Sequence, residues 1–189
     1  MKPAFNRLTV PQLVFSGCMG ILLQFAPSFP LDAQQQPSNS TDIQREAMQK
    51  LSFLAGRWTG PITVVRGPGE PLHLTQTENI EYKLDGLVLL IEGKSTGSDG
   101  KVLFQALATV SFDDATHAYR FRAYHDGHYV DTELTVLVTG FSWGFQSGPA
   151  HVVNTMHLTA KGEWQETTEV AMGEGPAHHS VDMLLQHQP

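Results

Sequence analysis

The stretch Phe53-Leu54-Ala55-Gly56-Arg57-Trp58-Thr59-Gly60 divides the chain into two patterns of hydrophobic spacing. Upstream of it, Ile43, Ala47, Leu51 and Leu54 recur at helical intervals along one face. Thr41 and Gln44 have capping-box spacing, and Asp42 suits the positive end of the helix dipole. The spacing therefore predicts a helix from Thr41 that Gly56 stops by taking a left-handed conformation. Downstream, turn-forming residues cut the chain into short segments at intervals expected of an all-β protein.

The first of these segments runs to about Arg66 and ends at Gly67-Pro68-Gly69. Leu72 to Lys83 ends at Asp85-Gly86, a dipeptide that tolerates the positive φ values of a tight hairpin. Leu87 to Ser95 follows. In Val102 to Phe112 the apolar residues Val102, Phe104, Ala106, Ala108, Val110 and Phe112 alternate with Gln105, Thr109 and Ser111, as on a strand with one buried face. Ala118 to His125 turns at Asp126-Gly127 into His128 to Val138. Phe141 to Phe145, His151 to Thr159, Glu163 to Ala171 and His178 to Gln186 complete about ten strands joined by short turns. A sheet of that many antiparallel strands curls or splits, and closure removes both edges. The expected fold is all-β: a roughly ten-stranded antiparallel up-and-down β-barrel with a short N-terminal helix.

The first 33 residues read differently. Lys2 and Arg7 precede an apolar run from Leu13 to Phe25, and small residues follow near Ala33, as in a secretory signal. Residues 34–40 are polar and aperiodic and are expected to form a flexible tether, leaving 41–189 as the helix and barrel. The expected location is outside the cytoplasm, periplasmic or extracellular. Cys18, the single cysteine, falls within the signal, so the mature chain would have no disulfide. Phe15-Ser16-Gly17-Cys18 also resembles a lipoprotein cleavage box, which makes a lipid anchor at Cys18 a second reading; no membrane span is expected in the mature chain. A net charge of -7, from 12 Lys+Arg against 19 Asp+Glu, opposes binding to a phosphate backbone, so nucleic acid is not an expected partner.

A helix followed by Gly56-Arg57-Trp58 at the start of a meander resembles the Gly-x-Trp signature of the lipocalin and calycin superfamily. Leu54-Ala55-Gly56-Arg57-Trp58-Thr59-Gly60, Ile91-Glu92-Gly93, Tyr119-Arg120-Phe121-Arg122 and Trp164-Gln165-Glu166 resemble, in that order, an uncharacterised family of exported bacterial calycin-like proteins. That family is distantly related to nitrobindin-type haem-binding barrels. The resemblance spans Lys50 to Glu169 and implies a barrel with a lumen but no particular activity. It also implies a haem alternative, in which a histidine near the C-terminus, His179 beside His178, would hold the iron.

The residues themselves supply a modest set of candidates. Gly56 and Trp58 are structural, Trp58 sealing one barrel end with its indole N–H on a backbone carbonyl. Phe104, Trp143 and Trp164 are expected on the lumen wall with Tyr124, and a cavity of roughly 300 Å³ or more would support binding. Glu92 and Arg122 form a lumen ion pair for a polar head group in one reading and lie exposed in the other. Glu166 and Glu169 are expected on solvated faces. His125 and His128 flank a hairpin without a third metal ligand, and no Gly-x-Ser-x-Gly elbow occurs, so no catalytic or metal site is expected. The sequence thus points to a non-enzymatic exported barrel with a small apolar or amphipathic ligand and no predicted cofactor. A haem-binding or enzymatic barrel and a structural or partner-binding envelope module are the alternatives.

Overall fold

The computed structural model describes residues 37–189, with side chains from Ser40 onward. The expected signal, the Cys18 anchor and the first part of the tether lie outside the described residues. Helix α1 (Pro37–Gln49) leads through a short 3-10 turn, Ser52–Leu54, into ten strands. These are β1 (Gly56–Val64), β2 (Leu72–Lys83), β3 (Val88–Thr96), β4 (Val102–Asp113), β5 (Ala118–His125), β6 (His128–Val136), β7 (Gly140–Ser147), β8 (Ala150–Leu158), β9 (Trp164–Met172) and β10 (His178–Gln188). Each strand pairs antiparallel with the next, and β10 returns to pair with β1, closing the barrel. Among the described residues no sheet edge is left to template aggregation.

The helix departs from its expected limits at both ends. It begins at Pro37 rather than Thr41, because proline at a first helical position has no needed N–H and a preset φ; Pro37–Ser40 are therefore helix and not tether. It ends at Gln49, well before Gly56. Gly56 instead opens β1 at φ +116°, where an added Cβ would lie 2.3 Å from the His187 imidazole. The glycine is thus required for the close approach of β1 to β10. Asp126 and Gly127, at φ 47° and 74°, form the expected tight turn.

One end of the barrel is plugged. Met48, Leu51 and Leu54 are buried in one cluster with Trp58, Ile80, Leu89 and Val110, and Ala47 is buried beside them in sequence, while Ile43, expected on the same face, is exposed. The Trp58 indole donates to the Leu54 carbonyl at 2.8 Å. Two barrel tyrosines donate to the end of α1, Tyr82 to the Met48 carbonyl at 2.6 Å and Tyr119 to the Ala47 carbonyl at 2.8 Å. At the other end of the helix Ser40 and Gln44 donate to the Asp114 carboxylate, at 2.5 and 2.8 Å, tying α1 to the β4–β5 turn. Among the described residues no helix is long and apolar enough to cross a membrane.

Candidate functional site

Alternation along the strands settles which residues point inward. On β2 the inward set includes Leu74, Gln76, Glu78 and Ile80, and on β9 it is Trp164, Glu166 and Thr168. Small residues on this face, Gly93, Ala106, Ala108 and Ala123, leave space that larger ones would fill. The result is a cavity of about 520 Å³ that extends from the plugged end to a mouth rimmed by Arg66, His125, His128 and Tyr129.

Most of the wall is apolar and aromatic. Phe121 and Trp143 lie with ring centroids 4.4 Å apart, and Trp143 stacks on Phe145 at 5.8 Å. Trp164 meets the edges of Trp58 and Phe141 at 5.7 and 5.9 Å. Such offset and edge contacts fix the rings, because each presents a positive edge to a negative face.

A polar patch interrupts this wall. Ser95 donates to the Gln76 side-chain carbonyl, and the Gln76 amide donates to Glu78 Oε1 at 2.6 Å. Gly93, opposite Glu78 on β3, makes room for this carboxyl, since a Cβ there would lie 2.9 Å from both of its oxygens. On the strands across the lumen, Trp164 Nε1 donates to Glu166 Oε2 at 2.9 Å, and Thr168 donates to Asn154 Oδ1 at 2.7 Å. The Asn154 side chain lines the cavity, and its Nδ2 is buried without a hydrogen-bond partner. Burial pushes Glu78 up to about 8; the Gln76 hydrogen bond opposes this, and repulsion from Glu166 adds to it. Burial likewise pushes Glu166 up to about 7, against the pull of the Trp164 hydrogen bond. Near neutral pH the patch therefore presents carboxylic acids as much as carboxylates. A neutral acid can donate a hydrogen bond, which a carboxylate cannot.

The sequence candidates separate cleanly. Phe104, Trp143 and Trp164 line the cavity; Glu92, Arg122 and Tyr124 do not. The lumen ion pair does not form. Arg122 is exposed and pairs instead with Asp131, directly opposite on β6, with its guanidinium 5.6 Å from the centre of the Tyr129 ring. Glu92 accepts only a 3.4 Å hydrogen bond from Asn79 on the outer surface, and Tyr124 lies 44% exposed beside Tyr129. Their strands place these side chains outward, where charges keep their hydration. His179 also points outward, held between Glu169 and Asp182 at 3.5 and 3.6 Å, so that position gives a lumenal haem no axial ligand. His125 Nδ1 lies 2.8 Å from the Gln105 carbonyl, and the ring packs on Phe104. Among the described residues no group of three or more histidine, cysteine or acidic side chains is placed to hold a metal.

The expected solvated face for Glu166 is overturned: it shares the inward face of β9 with Trp164. Residues two apart on a strand face the same way, so placing Trp164 in the lumen already required Glu166 there too. Gln76, Glu78, Ser95 and Asn154 were not anticipated. On β2 the apolar residues Leu72, Leu74, Ile80 and Tyr82 all share one face with Gln76 and Glu78, while the opposite face is polar throughout, so the alternation already carried both polar residues to the inward side.

Fold and lumen together define the class: a closed, ten-stranded antiparallel β-barrel with one plugged end and an internal cavity. Among solved structures the chain is similar to the crystal structure of Rv2717c from M. tuberculosis, with a TM-score of 0.58 and 13% sequence identity over 76% of this chain and 98% of that one. At that identity the likeness establishes the barrel fold alone. No protein-family model matches the chain, and no curated protein matches it.

Proposed function

We propose that this chain is an exported, calycin-like barrel that holds one small apolar or amphipathic molecule in its lumen. The observation that carries the proposal is the cavity of about 520 Å³ walled by Phe121, Trp143 and Phe145. Its volume lies in the range of ligand pockets, roughly 300 to 1,000 Å³. Burying an apolar ligand there removes hydrocarbon surface from water on both sides, and the rigid aromatic wall requires little ordering on binding. Export is supported by the basic and apolar pattern of the first 33 residues. The calycin-like assignment is supported by Gly56-Arg57-Trp58, with Trp58 at the plugged end.

The direct test is native mass spectrometry of the protein purified from its own host, together with Nile red titration. A co-purified small molecule, or a dye signal in the extracted protein, is the expected result. Ala106→Phe, which fills the lumen from β4, should abolish dye binding while leaving the far-ultraviolet circular dichroism unchanged. Dye binding that survives this substitution, with no co-purified mass, would place any apolar binding outside the lumen and end the proposal.

A further inference from the structure

The polar patch restricts what the lumen can hold. Among the described residues it has no basic side chain: the one arginine they place on the cavity is Arg66, at the mouth with His125 and His128. An anionic head group at the patch would face Glu78 and Glu166 with no counter-charge. The patch is also short of an acceptor. Asn154 is 6% exposed, its Oδ1 is occupied by Thr168, and its Nδ2 donor is unmatched. Turning the amide over would leave its oxygen unmatched instead, so in either orientation Asn154 has hydrogen-bonding capacity that no described side chain uses. Glu78 and Glu166 each accept a single hydrogen bond, from Gln76 and Trp164 respectively, and have capacity left for another.

Resting on the reading of the lumen as a ligand site, we propose that its occupant is an uncharged, largely apolar molecule bearing a carbonyl or hydroxyl oxygen, which accepts hydrogen bonds from Asn154 Nδ2 and from the carboxyl groups of Glu78 and Glu166. Gly93, by leaving room for the Glu78 carboxyl, keeps that acid on the wall and out of the ligand's path. The aromatic rings beside the patch take the hydrocarbon part, Trp143 on β7 lying directly opposite Asn154.

Four probes of matched length, octanone, octane, octylamine and octanoate, separate the possibilities when titrated into the full chain by calorimetry near neutral pH. Octanone should bind about tenfold more tightly than the other three, the value of a hydrogen bond to a buried, otherwise unpaired donor. Asn154→Val should reduce the preference for octanone over octane without weakening octane. Glu78→Gln with Glu166→Gln keeps a donor at each position and should retain octanone. If octylamine binds most tightly with release of protons, or if the four bind alike, the uncharged-oxygen class is wrong and the lumen reading survives. If none binds, both fall. Should Asn154→Val fail to fold, the ranking in the unsubstituted protein decides.

Discussion

At the scale of single residues the chain tolerates two buried carboxyls, and Gly93 shows how one of them is accommodated. A methyl group at that position would meet both Glu78 oxygens at 2.9 Å. Gly93→Ala should therefore destabilise the protein by about 1–3 kcal/mol in urea denaturation. Combined with Glu78→Ala, which removes the obstructed group, the two losses should add to less than their sum. The acids also set a pH dependence. Their folded-state values, about 8 for Glu78 and about 7 for Glu166, lie above the ordinary 4.5. The native state thus keeps protons that the unfolded chain has released. Their contribution to stability is complete below pH 4.5, declines as pH rises, and is lost by about pH 8. The melting temperature of the ligand-free protein should fall across that interval, by the equivalent of a few kcal/mol. Glu78→Gln and Glu166→Gln should each flatten the slope. Asp99, Asp113 and Asp114, whose hydrogen bonds hold them below the ordinary 3.8, act with the opposite sign but below this window.

At the scale of elements, the docking of α1 rests on a few directed bonds over an apolar base. The Ala47 and Met48 carbonyls already accept from the Lys50 and Leu51 N–H groups, and each oxygen has a second lone pair. Tyr119 and Tyr82 donate to these two carbonyls as well and so join the plug to β5 and β2. Tyr82→Phe and Tyr119→Phe should each cost about 0.5–1.5 kcal/mol, measured by chemical denaturation. Trp58→Ala should cost more, about 3–5 kcal/mol, since it also opens a void between α1 and Trp164. The elements themselves were legible in the sequence. Strand alternation in Val102 to Phe112 and the Asp126-Gly127 turn are local signals, and the structure reproduces them. The helix limits were less legible. Gly56 reads as a helix stop from local spacing, yet its left-handed φ serves a contact with His187, a residue distant in sequence.

At the scale of the whole molecule, closure decides which inward side chains meet one another in the lumen. On β2 the apolar residues Leu72, Leu74, Ile80 and Tyr82 mark the inward face, and Gln76 and Glu78 interrupt it as polar residues whose partners come from β3 and from across the lumen. Phe104, Trp143 and Trp164 were found from sequence because apolar character alone places them inside, whereas Gln76 and Glu78 were not, and Glu92 and Arg122 were weighed for a lumen they do not enter. Closure itself depends on β10, which bridges β1 and β9 and contributes Met183 and Leu185 to the core. Removing residues 178–189 would open two sheet edges at once and uncover the lumen. Each edge would present a row of unpaired N–H and C=O groups to other molecules. The truncated chain should elute as oligomers in size-exclusion chromatography and lose a cooperative thermal transition. A synthetic peptide of residues 178–189 should restore the monomer by adding back as a strand between the two edges. A truncated chain that remained monomeric and melted cooperatively would show that the other nine strands form a stable sheet without closure.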